Sequence, residues 1–189
     1  AYRGASTSAA GEDRDPDNRF FMRQRRLRLD AEIVRDVALA ASGRLEPRLG
    51  GPPVHPPVPA GTTAVGQVKR DWPTSAAGDR YRRGLYTFLY RASPLPANAV
   101  FDAPDGYQTC TRRHRSTTPL QALVLLNDPA FVELAAALAD VVRREGAAAA
   151  FRRCTARFPD DGEAAVLAGL DPGDCARVLL NLDETVTRE

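Results

Sequence analysis

Residues 101–146 read FDAPDGYQTCTRRHRSTTPLQALVLLNDPAFVELAAALADVVRREG, and the parsing of this stretch decides the fold. Thr118, Pro119, Leu120 and Gln121 match a capping box. The threonine hydroxyl accepts the third helical N–H, proline fills the first helical position and glutamine reaches back to the cap. A helix is therefore expected from Pro119, with Leu120 and Val124 and, one row over, Leu123 and Leu126 following helical spacing. Asn127-Asp128-Pro129 stops it, and Asp128 caps a second helix in the same way. There Phe131, Leu134, Ala135, Leu138, Val141 and Val142 form one apolar stripe, Arg143 and Arg144 occupy the last turn, and Gly146 closes it. Two helices joined at a proline corner make a core unit, and Thr118, Gln121 and Asp128 are read as its structural caps.

Upstream, GLYTFLY at 84–90 is aromatic-rich and alternates Leu85, Thr87, Leu89 against Tyr86, Phe88, Tyr90. That pattern predicts a strand, with a partner near Val65–Val68 or near Asn98–Phe101. Before it, residues 47–78 turn to Gly, Pro, Thr and Ala, with Pro52, Pro53, Pro56, Pro57 and Pro59 clustered. This is a long proline-rich excursion, which Trp72 either clamps to the core or uses to stack on a ligand, and in which His55 has no partner within sequence reach. Further upstream a helix is capped by Asp30, buries Ile33, Val34, Val37, Ala38 and Ala41, and ends at Gly43. Arg23, Arg25, Arg26 and Arg28 precede it at the positive helix end. Unless an anion binds there, they need answering acids, for which Asp13, Asp15, Asp17, Asp30, Glu32 and Asp36 are at hand. Residues 1–14 are small and polar and are expected to be loose.

Downstream, a helix follows Gly146 with Phe151, Cys154 and Phe158 inward, and a short one spans Asp161–Leu170. Asp171-Pro172 then repeats the Asp128-Pro129 cap before a last stripe of Cys175, Val178, Leu179, Leu182 and Val186. The fold class is thus mainly α, an orthogonal helical domain with a short β ribbon and a long proline-rich loop, and residues 1–189 form one domain.

With 26 basic and 24 acidic residues the net charge is +2, too balanced to imply nucleic acid. The basic zone is 79–115, where Arg80, Arg82, Arg83, Arg91, Arg112, Arg113 and Arg115 outnumber Asp79, Asp102 and Asp105. Acidic residues 158–189 answer it within the fold. Cys110, Cys154 and Cys175 form no CxxC, CxxCH or zinc spacing, so neither covalent haem nor a metal is encoded; one disulfide or three thiols remain open. No apolar run reaches the length of a membrane span.

The chemistry-bearing residues lie in one loop. Asp102 and Asp105 are spaced for shared cation binding, acid–base work or capping of their own backbone. Arg112, Arg113, His114 and Arg115 offer cationic groups beside them, and Cys110 in that setting is a candidate for a lowered thiolate pKa or for a buried thiol. No familiar catalytic motif accompanies them.

The run FDAPD, then Cys110, Arg113 and TTPLQALVLLNDPAFVE, resembles the C-terminal domain of unknown function of large planctomycete proteins that also carry cytochrome c-like haem segments. DPDNRFFMRQRRLRLDAEIVRDVALAASGRL, RRGLYTFLYR and ARVLLNLDETVTRE extend the resemblance over most of residues 15–189. The opening AYRGAST is similar to the middle of that domain, and residues 159–173 are shorter than its helical region, so the chain is expected to be a partial copy. The resemblance implies an exported protein, periplasmic or at the cell surface, with any haem on another domain. It points to a non-enzymatic structural or interaction module that packs against neighbouring domains. The alternative is an enzyme or binding site for an anionic carbohydrate-like substrate, such as an acidic polysaccharide, lined by residues 101–115. On the structural reading, losing the Thr118 or Asp128 cap lowers stability, while Asp102→Ala and His114→Ala change little.

Overall fold

A computed structural model describes residues 6, 8–64 and 69–188. Its elements run α1 (Ala9–Arg14), β1 (Leu27–Arg28), α2 (Ala31–Ala41), α3 (Pro96–Val100), α4 (Pro119–Asn127), α5 (Pro129–Glu145), α6 (Ala147–Thr155), α7 (Asp161–Ala168), α8 (Pro172–Asn181), α9 (Asp183–Val186) and β2 (Thr187–Arg188), with 3-10 turns at Thr62–Ala64, Asp79–Tyr81 and Gly84–Tyr86. The fold is mainly α, as expected.

The α4–α5 corner bends by 65°. Asp128 Oδ1 accepts the Ala130 N–H at 2.9 Å, and Pro129 opens α5 at the position where its missing N–H has no helical partner. Phe131, Leu134, Ala135, Leu138 and Val141 are buried as the spacing requires. Against them lie α8, with Cys175, Ala176, Leu179 and Leu180, and α6, with Ala150, Phe151 and Cys154; α2 adds Ala31, Val34, Ala38, Leu39 and Ala41. One apolar cluster therefore joins the helices.

Several expectations are corrected. Thr118 makes no side-chain cap bond; Gln121 is drawn inward to Val100 O and Ser116 O, at 3.0 and 3.1 Å, because two carbonyls at the end of α3 and before α4 need donors there. The inner face of α4 is accordingly Gln121 and Leu125, and Leu120 and Leu123 face outward. Asp30 precedes α2 without a side-chain cap bond. Ile33, Val178 and Phe158 are exposed. Residues 9–14 are helical, with Ser8 Oγ accepting the Gly11 N–H.

The largest revision concerns 84–90. Gly84 lies against the α2 backbone, and its N–H reaches Asp36 Oδ1 at 2.6 Å. That contact forces a 3-10 turn in place of a strand, and Leu85 and Leu89 are exposed. Of the expected partner segments, Asn98–Phe101 belongs mostly to α3, and Val65–Val68 lies outside the described residues. The short ribbon is instead β1–β2, antiparallel, with Leu27 opposite Arg188 and Arg28 opposite Thr187.

The proline-rich excursion is tied down. Val54 is buried and exchanges hydrogen bonds with Tyr86 O and Phe88 N. Trp72 acts as a clamp: its Nε1 donates to Pro56 O at 2.7 Å, and its ring meets His55 edge-on. His55, partnerless by sequence, stacks on Phe88 at 4.8 Å. Arg82 is fully buried without an acid; its guanidinium donates to the carbonyls of Arg48, Gly50 and Pro52 and lies 3.8 Å from the Tyr86 ring centroid.

Beyond α6, Asp160 and Glu163 form a capping box for α7. Hydrogen bonds from Arg157, with the Asp160 N–H, hold the Glu163 carboxyl down at about 2. A depressed folded-state pKa contributes stability that is present above the unfolded value of about 4.3 and is lost as pH falls toward 2. Glu163→Gln is expected to flatten the acid limb of the stability–pH profile between those values. Urea midpoints taken from pH 6 to pH 2 test this, and a limb of unchanged slope contradicts it.

Candidate functional site

The loop after α3 begins at Asp102, whose φ of 58° lies in the left-handed region that Asp and Asn tolerate best after glycine. Its carboxylate is turned back into the fold. Oδ2 accepts Arg28 Nη2 at 2.6 Å and the Ser116 N–H at 2.8 Å, and Ser116 Oγ donates to both oxygens. Burial works to raise the Asp102 pKa, but the Ser116 hydrogen bonds and the Arg28 guanidinium outweigh it and hold the group ionised below the usual carboxylate range. Arg28 in turn donates to Ser116 O and Phe101 O and lies over the Phe101 ring. Both ends of the loop are thereby closed on one buried guanidinium.

Asp105 does a different job. Its Oδ1 accepts the Tyr107 N–H at 2.9 Å, an aspartate turn on the surface. Arg113 grips Glu32 in the first turn of α2 through both guanidinium nitrogens, at 2.7 and 3.1 Å, and Arg115 reaches Asp30 at 3.5 Å. Burial raises the Glu32 pKa, yet the Arg113 bonds prevail and the net shift is downward. These acids were expected to answer the arginines at 23–28. They answer the loop instead, while Arg23 serves the carbonyls of Gly11, Asp15 and Pro16, Arg26 pairs with Asp183, and Asp36 takes Arg83.

Asp102, Asp105, Arg112, Arg113 and His114 line one open concavity of about 420 Å³, and Arg112 to Arg115 with Leu27 line an adjoining one of about 430 Å³. Within these, Arg112 and His114 are exposed. Arg113 and Arg115 are committed to α2. Cys110 is an exposed free thiol, and Cys154 and Cys175 are buried free thiols, with Cys154 pushed up to about 12 by burial beside Cys175. Among the described residues no three His, Cys, Asp or Glu side chains converge as a metal site, and no single helix is long and apolar enough to cross a membrane.

A second surface feature escaped the sequence reading. Asp15 accepts the N–H groups of Arg19 and Phe20, both at 2.7 Å, and Asn18 bonds Arg23 through both amide atoms. This loop holds Phe21 at a φ of 55° and turns Phe20, Phe21 and Met22 outward, the two phenylalanines 80% and 65% exposed. Asp15-Pro16-Asp17-Asn18 carries turn chemistry, but nothing in that pattern says that the following aromatics point away from the core. A family model described as PSD1, protein of unknown function (DUF1553), matches residues 1–170. No curated protein and no solved structure matches the chain.

Proposed function

We propose that this chain, which belongs to the DUF1553 family of proteins of unknown function, is a non-enzymatic interaction module that docks on neighbouring domains of a larger exported protein through its Phe20–Phe21–Met22 knob. The observation that carries the reading is the knob itself. A phenylalanine at positive φ is a strained conformation that costs of order 1–3 kcal/mol and persists only where the surroundings impose it, and here the Asp15, Asn18 and Arg23 hydrogen bonds impose it on an exposed ring. Large rigid aromatics presented this way are the anchor type of protein interfaces. The groups that a catalytic reading needs are occupied otherwise: Asp102 by Arg28 and Ser116, Arg113 by Glu32. Haem of the larger protein belongs, on this proposal, to another domain.

The second reading is a site for an anionic polysaccharide on the 101–115 loop, favoured by the exposed Arg112 and His114 along the adjoining concavities. One experiment separates the two. The neighbouring domains immobilised on a column are expected to retain the module, and Phe20→Glu/Phe21→Glu is expected to bind about 100-fold more weakly, as two lost aromatic anchors imply. Equal retention of both proteins sinks the docking reading. Retention on a sulfated-polysaccharide resin that is lost on Arg112→Ala would select the second.

A further inference from the structure

A small cavity lies between α2, the segment around Pro56, α3 and the α4–α5 corner. Its wall is largely apolar, with Ala31, Pro56, Val58, Leu95, Phe101 and Phe131, but Arg35, Thr87 and Asp128 also line it. Arg35 Nε and Thr87 Oγ1 are closed off from solvent and have no hydrogen-bond partner in the protein. Leaving a buried polar atom unpaired forfeits its hydration with nothing in return, so native interiors rarely hold two such atoms on residues lining one cavity without something that binds them. Asp128 supplies an acceptor on the same wall, with one oxygen already on the Ala130 N–H.

Size and charge choose the occupant. The cavity encloses about 30 Å³, and one water needs about 10–15 Å³ by the same measure. A sugar ring or an amino acid does not fit. The Asp128 carboxylate disfavours an anion, and the Arg35 guanidinium disfavours a metal cation. We propose that the cavity is a binding site for two ordered waters, which accept from Arg35 Nε, exchange a hydrogen bond with the Thr87 hydroxyl and donate to the Asp128 carboxylate. Such a bridge links α2, the turn after Gly84 and the α4–α5 corner by hydrogen bonds through a wall that apolar contacts alone would otherwise close.

A crystal structure of the whole chain at a resolution that resolves waters, with a second data set under xenon pressure, tests the site. Two density peaks within hydrogen-bond distance of Arg35 Nε and Thr87 Oγ1, and no xenon there, are expected. Thr87→Val, which keeps the shape and removes the hydroxyl, is expected to lose one peak and to lower the folding equilibrium constant about five- to tenfold in urea unfolding. Xenon in the cavity would show it to be dry and apolar. That result, the absence of both peaks, density for a larger molecule, or a Thr87→Val protein at least as stable as the parent overturns the proposal.

Discussion

Asp102→Ala is expected to destabilise the protein by about 3 kcal/mol, the range seen when one partner of a buried ion pair is removed, while Thr118→Ala changes stability by less than about 0.5 kcal/mol. The sequence reading held the reverse. Arg28 is the reason: its side chain is 4% exposed, against 20% for Asp102, and Asp102 is its carboxylate partner at 2.6 Å. Truncation strands a buried guanidinium, releases the Ser116 N–H and hydroxyl, and places alanine at a φ of 58°. Asp102→Asn is expected to fall between, since asparagine tolerates the left-handed backbone and still accepts from Ser116 but does not neutralise Arg28. Thr118 has no capping bond to lose. Urea unfolding of the three variants decides the matter; an Asp102→Ala midpoint equal to the parent's would show that Arg28 is satisfied by carbonyls alone.

Gly84→Ala is expected to cost about 3 kcal/mol, the upper end of ordinary overpacking, because the clash is with main chain that has no alternative rotamer. A Cβ at Gly84 would stand 2.5 Å from the Glu32 carbonyl oxygen and 2.8 Å from its Cα. Glu32 is itself held by Arg113, so the first turn of α2 cannot retreat without breaking that pair. Leu85→Ala, next in the chain and 69% exposed, serves as the control and should stay within about 0.5 kcal/mol. Equal melting temperatures for the two variants would mean that the 84–86 turn lifts from α2 at no cost.

What could be read from the sequence was what neighbouring residues decide among themselves. Asp128-Pro129 and Asp171-Pro172 cap their helices because cap, proline and the accepting N–H groups lie within a few residues, and the α5 stripe follows from 3.6-residue spacing alone. Misreadings arose where a distant partner outbid the local one. Gln121 prefers two carbonyls to the Thr118 cap; Asp30 and Glu32 prefer arginines more than 80 positions downstream; and the alternating 84–90 run yields to a glycine that must touch α2. Asp102, Asp105, Arg112, Arg113 and His114 line one concavity, but the partner that fixes Asp102, Arg28, lies 74 residues away. Amphipathic spacing likewise says that Phe20 and Phe21 are apolar and leaves open that a hydrogen-bonded turn aims them at the surface.

The pairing of α5 with α8, the most extensive helix contact in the fold, sets a timetable for synthesis. Leu138 leaves the ribosome about 40 residues ahead of Leu179, its counterpart in the buried cluster, which is an interval of roughly 2–8 s at about 5–20 residues per second. Throughout that interval α2 and α4 are available to α5, but the side of the Phe131–Val141 stripe that α8 covers is complete and without its partner, the kind of surface that hydrophobic chaperones hold and nascent chains on neighbouring ribosomes bind. Slow codons after Gly146 would lengthen the exposure, and rapid translation of 147–181 would shorten it. The yield of soluble protein is then expected to follow the decoding speed of a segment that contributes no side chain to the candidate loop.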